Sequence, residues 1–219
     1  MKRRTAILIS GRGSNMEALI AAAQDPAYPA EICLVLSNRP EARGLETARA
    51  AGIRAEAIDH RAYGRDRAAH EAAIDAALRA ADIEIVCLAG YMRLLTPFLV
   101  EAWQGRMLNI HPSLLPCFPG LHTHARALEA GVKLHGCTVH LVTSEMDAGP
   151  ILAQAAVPVL AGDTESDLAE RVLRQEHQVY PAALAAVAAG LPVAAPDPQA
   201  ALANPLGWPM GCPNGYAVR

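Results

Sequence analysis

The chain has 219 residues, 52% of them hydrophobic, with 19 Lys and Arg against 22 Asp and Glu for a formal net charge of −3. That length fits one α/β domain with a substantial core, and the absence of a basic stripe interleaved with aromatics argues against a nucleic-acid partner. No apolar run approaches the roughly 18 residues that a membrane helix requires, and Ala6 to Ile9, after the basic Met1 to Arg4, is too short for a signal peptide and reads as a first strand.

Short aliphatic or β-branched runs then alternate with amphipathic ones. Strands are expected at Thr5 to Ser10, Ile32 to Ser37, Ile53 to Ile58, Glu84 to Ala89 and Met107 to Ile110. Helices are expected at Met16 to Ala23, Gly44 to Ala51, Asp66 to Ala81 and Pro97 to Trp103. Such βαβ units cross over right-handedly, which places helices on both faces of a buried sheet. The fold class is therefore α/β: a Rossmann-like, mostly parallel twisted sheet.

After Ile110 the rhythm changes, because His111 to Gly120 carries three prolines and cannot be a helix interior. His135 to Val142 and Ile151 to Val159 read as two further strands. Thr164, followed by Asp167, reads as the N-cap of a long helix toward Gly190 that Pro181 should kink or divide. Residues 1–195 then form a single domain, and the Pro- and Gly-rich segment 196–219 is a tail without an inferred function.

The five cysteines, Cys33, Cys87, Cys117, Cys137 and Cys212, form no Cys-x-x-Cys pair or Cys/His comb, a pattern that suggests reduced thiols in the cytoplasm. His111, His122, His124, His135 and His140 match no compact zinc spacing, so no metal is assigned and most of them read as surface or local hydrogen-bonding residues. No Gly-x-Ser-x-Gly nucleophile elbow is present either.

Three segments carry candidate chemistry. Ser10-Gly11-Arg12-Gly13-Ser14-Asn15 lies between the first strand and the first helix, where glycines admit an anion and the helix N-terminus attracts it. It lacks the third glycine of a dinucleotide loop and the Gly-Lys-Ser/Thr ending of a P-loop, which leaves a phosphate monoester; an ordinary turn with Ser14 or Asn15 as N-cap explains the spacing as well. Asn109-Ile110-His111-Pro112-Ser113 ends a central strand, and residues two apart on a strand share a face, so Asn109 and His111 could grip one oxyanion. Read alone, that pair is more often a polar strand end whose histidine hydrogen-bonds locally. Ser144 to Pro150 is a turn whose carboxylates could approach a histidine and favour its charged form, although Asp-x-Gly-Pro is also a common turn sequence.

Together with Leu88 to Arg93, Leu108 to Pro116, Phe118 to His124, His135 to His140, Asp147 to Ile151 and Gln175 to Pro181, these segments closely resemble the glycinamide ribonucleotide formyltransferases of purine synthesis in content, order and spacing. The likeness covers roughly residues 5–190, and Pro119-Gly120-Leu121-His122 favours this family over other folate-using relatives. Cys117, Cys137 and Ala148 depart from the family pattern, which touches turn geometry rather than the chemistry.

The resemblance implies a formyltransferase fold with two small-molecule substrates, phosphoribosylglycinamide and 10-formyltetrahydrofolate, and no metal, in a monomer or homodimer. It implies a nucleotide site at Gly13, Ser14 and Asn15, with the glycinamide end reaching Leu173, Arg174, Gln175 and Glu176. The folate would lie against Met92, Arg93, Leu94 and Leu95, against Asn109, and against the turn Thr143, Ser144, Glu145, Met146 and Asp147, with Arg67 as a further contact for which Arg65 competes. Asn109, His111 and Asp147 would be catalytic: the neutral amine attacks the formyl carbon directly, Asn109 holds the oxyanion, charged His111 stabilises it and helps protonate the departing nitrogen, and Asp147 holds His111 charged. A formyltetrahydrofolate hydrolase would carry an extra N-terminal regulatory domain, and a methionyl-tRNA formyltransferase a further RNA-binding domain. An inactive folate- or nucleotide-binding module fits poorly with an intact Asn109, His111 and Asp147 set.

Overall fold

In the computed structural model, residues 1–191 are described, and the segment 196–219, with Cys212, lies outside them. Seven strands form one sheet in the order β3-β2-β1-β4-β5-β6-β7. The parallel part comprises β1 (Arg3–Ile9), β2 (Ala30–Ser37), β3 (Arg54–Ala57), β4 (Ile85–Leu88) and β5 (Met107–His111). Then β6 (Leu134–Leu141) and β7 (Ile151–Pro158) add on antiparallel. All seven coincide with expected strands to within a few residues.

Period-2 alternation divides the core in two. From β1, Ile7 and Ile9 face one cluster with Met16 and Leu19 of α1 (Ser14–Ala23), Leu45 and Ala48 of α2 (Arg43–Ala50), and Tyr180 and Leu184 of α6 (Glu165–Ala188). Ala6 and Leu8 face the other, with Ile74 and Leu78 of α3 (Arg67–Ala80) and Leu99 of α4 (Pro97–Ala102). A strand buried on both sides must be apolar at every position, which is why the middle of β1 reads as a continuous hydrophobic run. The helices on both faces are those expected.

Two short elements escaped the sequence reading. Asp59 accepts from the Arg61 amide at 3.0 Å and starts a 3-10 turn at His60–Tyr63. In the stretch between Gly120 and β6, to which the sequence assigns no element, α5 (Thr123–Glu129) begins after His122, which takes a left-handed φ of 56°. The capping box between Thr164 and Asp167 opens α6 as expected, but Pro181 does not divide that helix, which runs unbroken to Ala188. Its buried Tyr180, Ala183 and Leu184 pack on the sheet across the proline, and the Tyr28 hydroxyl donates to the Pro181 carbonyl at 2.7 Å, so tertiary contacts offset the lost backbone bond.

The same helix braces the strand ends where the site forms. Tyr180 is fully buried, and its hydroxyl reaches the carbonyls of Leu88 at 3.0 Å and Leu108 at 3.2 Å, linking β4 to β5. Tyr180→Phe should cost about 1 to 2 kcal/mol, since it leaves buried carbonyls without that donor. Thermal denaturation should then show a melting temperature lower by about 2 to 4 °C for each kcal/mol in a domain of this size; an unchanged midpoint would show that the hydroxyl contributes nothing.

Candidate active site

The sheet order reverses between β1 and β4, where the loops leaving adjacent parallel strands diverge and open a crevice. There a cavity of about 350 Å³ is lined by Ser10 to Asn15, Arg39, Ala89, Gly90 and Met92. Gly13 takes a φ of 77°, a backbone conformation that glycine adopts without strain, and turns the chain into α1. The Asn15 amide donates to the Glu176 carboxylate at 2.6 Å, joining α1 to α6. Burial pushes the Glu176 carboxyl above its usual range, with the Asn15 bond pulling the other way. Leu173 and Gln175 are half-buried beside it, whereas Arg174 is exposed and ion-paired with Glu170 at 3.3 Å.

Ser10 joins this loop to the next. Its hydroxyl accepts from the Met92 amide at 2.7 Å and donates to Asn38 Oδ1 at 2.6 Å. The loop so held presents Met92 and Leu94 at 67% and 61% exposure, an apolar lip, with Arg93 and Leu95 half-buried between and behind them. Arg67 and Arg65 are both exposed, and neither side chain has a hydrogen bond to this loop or to the later turn among the described residues.

Leu88 of β4 lies in register with Asn109 of β5, so the second cluster adjoins the cavity. Asn109 and His111 share the strand face expected of them. His111 is buried; its Nε2 donates to the Phe118 carbonyl at 3.0 Å, and its Nδ1 faces Asp147 Oδ2 at 3.5 Å. Both ring nitrogens of His111 thus face acceptor oxygens.

Asp147 sits in the turn between β6 and β7 at a φ of 55° and accepts from the Gly120 amide at 2.8 Å. A Cβ on Gly149 would collide with the Leu141 carbonyl oxygen, so glycine there lets the turn close tightly over β6. Thr143 is half-buried, while Ser144, Glu145 and Met146 project outward, with Met146 57% exposed, on the same turn as Asp147. Asn109 Nδ2 donates to His140 Nε2 at 3.1 Å, and Asp147 Oδ1 lies 3.8 Å from that nitrogen.

The three expected catalytic residues therefore meet in space, and so do Asn15 and Glu176. Their motifs give Ser10 and His140 no specific role: a serine before a glycine loop is ordinary, and the partner of Asn109 depends on antiparallel pairing 31 residues away. Among the described residues no group of three or more His, Cys, Asp or Glu side chains could hold a metal ion, and no helix is long and apolar enough to cross a membrane.

A mostly parallel sheet with an anion-type loop at the strand reversal, adjoined by an Asn, His and Asp cluster on its antiparallel extension, defines an α/β group-transfer domain. The protein-family model described as formyl transferase matches residues 3–184. The phosphoribosylglycinamide formyltransferase of Escherichia coli K12 is 49% identical over 181 residues, covering 80% of this chain and 82% of that protein. The crystal structure of phosphoribosylglycinamide formyltransferase from Brucella melitensis superposes with a TM-score of 0.83 at 58% identity, covering 89% of this chain and 100% of that one. The human trifunctional purine biosynthetic protein adenosine-3 is 50% identical over 189 residues, and the chain spans 19% of its length. The chain belongs to the formyl transferase family.

Beyond His111 lie a buried ring, His135, and a half-buried one, His124. His124 Nδ1 and His135 Nε2 are 3.2 Å apart, and burial depresses the His135 imidazole to about 4 and His124 in the same direction. Burial also lowers His70, His140 and His177. Each ring binds its proton more weakly folded than unfolded, so the unfolded chain takes up more protons once pH drops below the ordinary histidine value of about 6.5. Stability from these groups is complete above that value and is lost as pH falls toward the folded values. The melting temperature should therefore decline between about pH 6.5 and pH 4, more shallowly in His135→Gln than in the parent; equal slopes would mean that His135 is not held neutral.

Proposed function

We propose that this chain transfers the formyl group of 10-formyltetrahydrofolate to the amine of phosphoribosylglycinamide by direct attack, in purine biosynthesis. One observation carries the reading: the Asn109 amide, the His111 ring and the Asp147 carboxylate converge beside the glycine-loop cavity. The similarity to the phosphoribosylglycinamide formyltransferases of Escherichia coli and Brucella melitensis supports it. Residues 1–195 serve as the one catalytic domain, working in the cytoplasm on two small molecules.

In this reading the amides of Gly13, Ser14 and Asn15 receive the phosphate, where unpaired helix N–H groups and the helix dipole favour an anion. Glu176, held by Asn15, and the preceding Leu173, Arg174 and Gln175 receive the remainder of the nucleotide. The apolar lip Met92 to Leu95 and the turn Thr143 to Asp147 embrace the folate, with Arg67 reaching its acidic end. Attack of the neutral amine on the formyl carbon creates a tetrahedral carbon bearing an oxyanion. Asn109 donates to that oxygen, the charged His111 stabilises it and supplies a proton toward the departing folate nitrogen, and Asp147 keeps His111 paired and takes part in relaying the proton lost by the amine. The pieces are buried among fixed dipoles, so little reorganisation accompanies the charge as it develops.

Folate product formed from 10-formyltetrahydrofolate, followed by absorbance with and without phosphoribosylglycinamide, tests the assignment. Amine-dependent turnover that disappears in His111→Ala is expected; amine-independent turnover would identify a hydrolase, and binding without turnover a binding module. Asn109→Ala should lower kcat about 100- to 1,000-fold, as removal of an oxyanion donor does elsewhere. Asp147→Asn should depress kcat far more than it changes either KM, and a change confined to KM would refute the proton-relay role.

A further inference from the structure

The antiparallel register of β5 and β6 sets Asn109 directly opposite His140, whose side chain is 3% exposed. His140 Nδ1 lies 2.9 Å from the carbonyl oxygen of Leu141. A carbonyl oxygen only accepts, so Nδ1 carries the proton, and in the neutral ring Nε2 is a bare acceptor. The group facing that acceptor, at 3.1 Å, is the Asn109 carboxamide. The two ends of a carboxamide have nearly the same shape and opposite polarity, and here only the NH₂ end fits, because the flipped amide would set two lone pairs against each other.

We propose that His140 is a positioning residue for formyl transfer: its bare Nε2 selects the one orientation of the Asn109 carboxamide that leaves a second N–H free for the developing oxyanion. The flipped amide would present its carbonyl oxygen at the place of that N–H and repel the anion. This inference rests on Asn109 being the oxyanion donor.

The titratable groups facing His140 are Asp147 from the β6–β7 turn, 3.8 Å from Nε2, and His111 from β5. Burial, the largest influence, favours the neutral ring; the Leu141 carbonyl and Asp147 favour the charged one; His111 again opposes charge. Protonation at Nε2 would replace the Asn109 bond by an ion pair with Asp147 and release the carboxamide to turn. The site thus holds two imidazoles with opposite tasks. His111 lies between two acceptors, the Phe118 carbonyl and the Asp147 carboxylate, while His140 must keep one nitrogen bare.

Two independent experiments on the full chain test this. In the free protein labelled with ¹⁵N-histidine, the long-range proton–nitrogen spectrum at neutral pH should show His140 with Nδ1 protonated and Nε2 bare. The opposite tautomer or a charged ring overturns the inference whatever the activity. In steady-state kinetics, His140→Leu should lower kcat about tenfold or more while both KM values stay within about twofold, because a misoriented donor fails in the transition state and not in the ground state. His140→Gln, whose side-chain oxygen restores an acceptor, should recover most of the loss, and its kcat should lack the acid-side decline that His140 protonation gives the parent. Equal losses in the Leu and Gln variants, or an unchanged acid limb in His140→Gln, would indicate a packing role only. If the Leu variant does not fold, the spectrum and the Gln pH profile decide. Undiminished turnover in Asn109→Ala would remove the oxyanion assignment and this inference with it, whereas a crippled Asn109→Ala beside a normal His140→Leu would remove the His140 role alone.

Discussion

The candidate site depends on where one largely buried carboxylate, Asp147, is held. It accepts from the Gly120 amide at 2.8 Å, faces His111 at 3.5 Å and lies 3.8 Å from His140. It thereby joins the loop after β5, the end of β5 and the end of β6. Low local polarizability strengthens each of these interactions and makes loss of any partner expensive. The residue reaches that position only because the β6–β7 turn is tight enough for Gly149 to pack against the Leu141 carbonyl, and because Asp147 itself accepts a left-handed backbone.

Two halves of the sheet divide the work. The parallel half opens a cavity where strand order reverses, with backbone amides and a helix N-terminus turned toward it. The antiparallel half brings titratable groups back across β5. Side-chain bonds tie the halves together: Ser10 binds the Met92 amide between the β1 and β4 loops, Asn15 binds Glu176 between α1 and α6, and the Tyr180 hydroxyl spans β4 and β5. The geometry of the site is thus supported from three directions.

The surroundings of the two imidazoles explain how neighbouring residues of one type can serve different ends. His111 is placed between a carbonyl and a carboxylate, both acceptors, which suits a ring protonated at both nitrogens. His140 is placed between a carbonyl and an amide donor, which suits a neutral ring.

The sequence by itself determined the elements whose cause is local. Strand β1 was legible because a doubly buried strand must be apolar throughout, the start of α6 because Thr164 and Asp167 cap each other, and the shared face of Asn109 and His111 because strand side chains alternate. The glycine loop was legible as an anion site only to the point where an ordinary turn explained it as well, and it was the resemblance among distant motifs that joined Asn109, His111 and Asp147 into one proposal. The unbroken passage of α6 through Pro181, the helix α5 and the partner of Asn109 were not legible. The first and the last are decided by pairing across long stretches of chain: Tyr28 reaches Pro181 over 153 residues, and Asn109 meets His140 over 31. Local propensity carries no information about such distances, and only the closed sheet and its packed helices choose the partners.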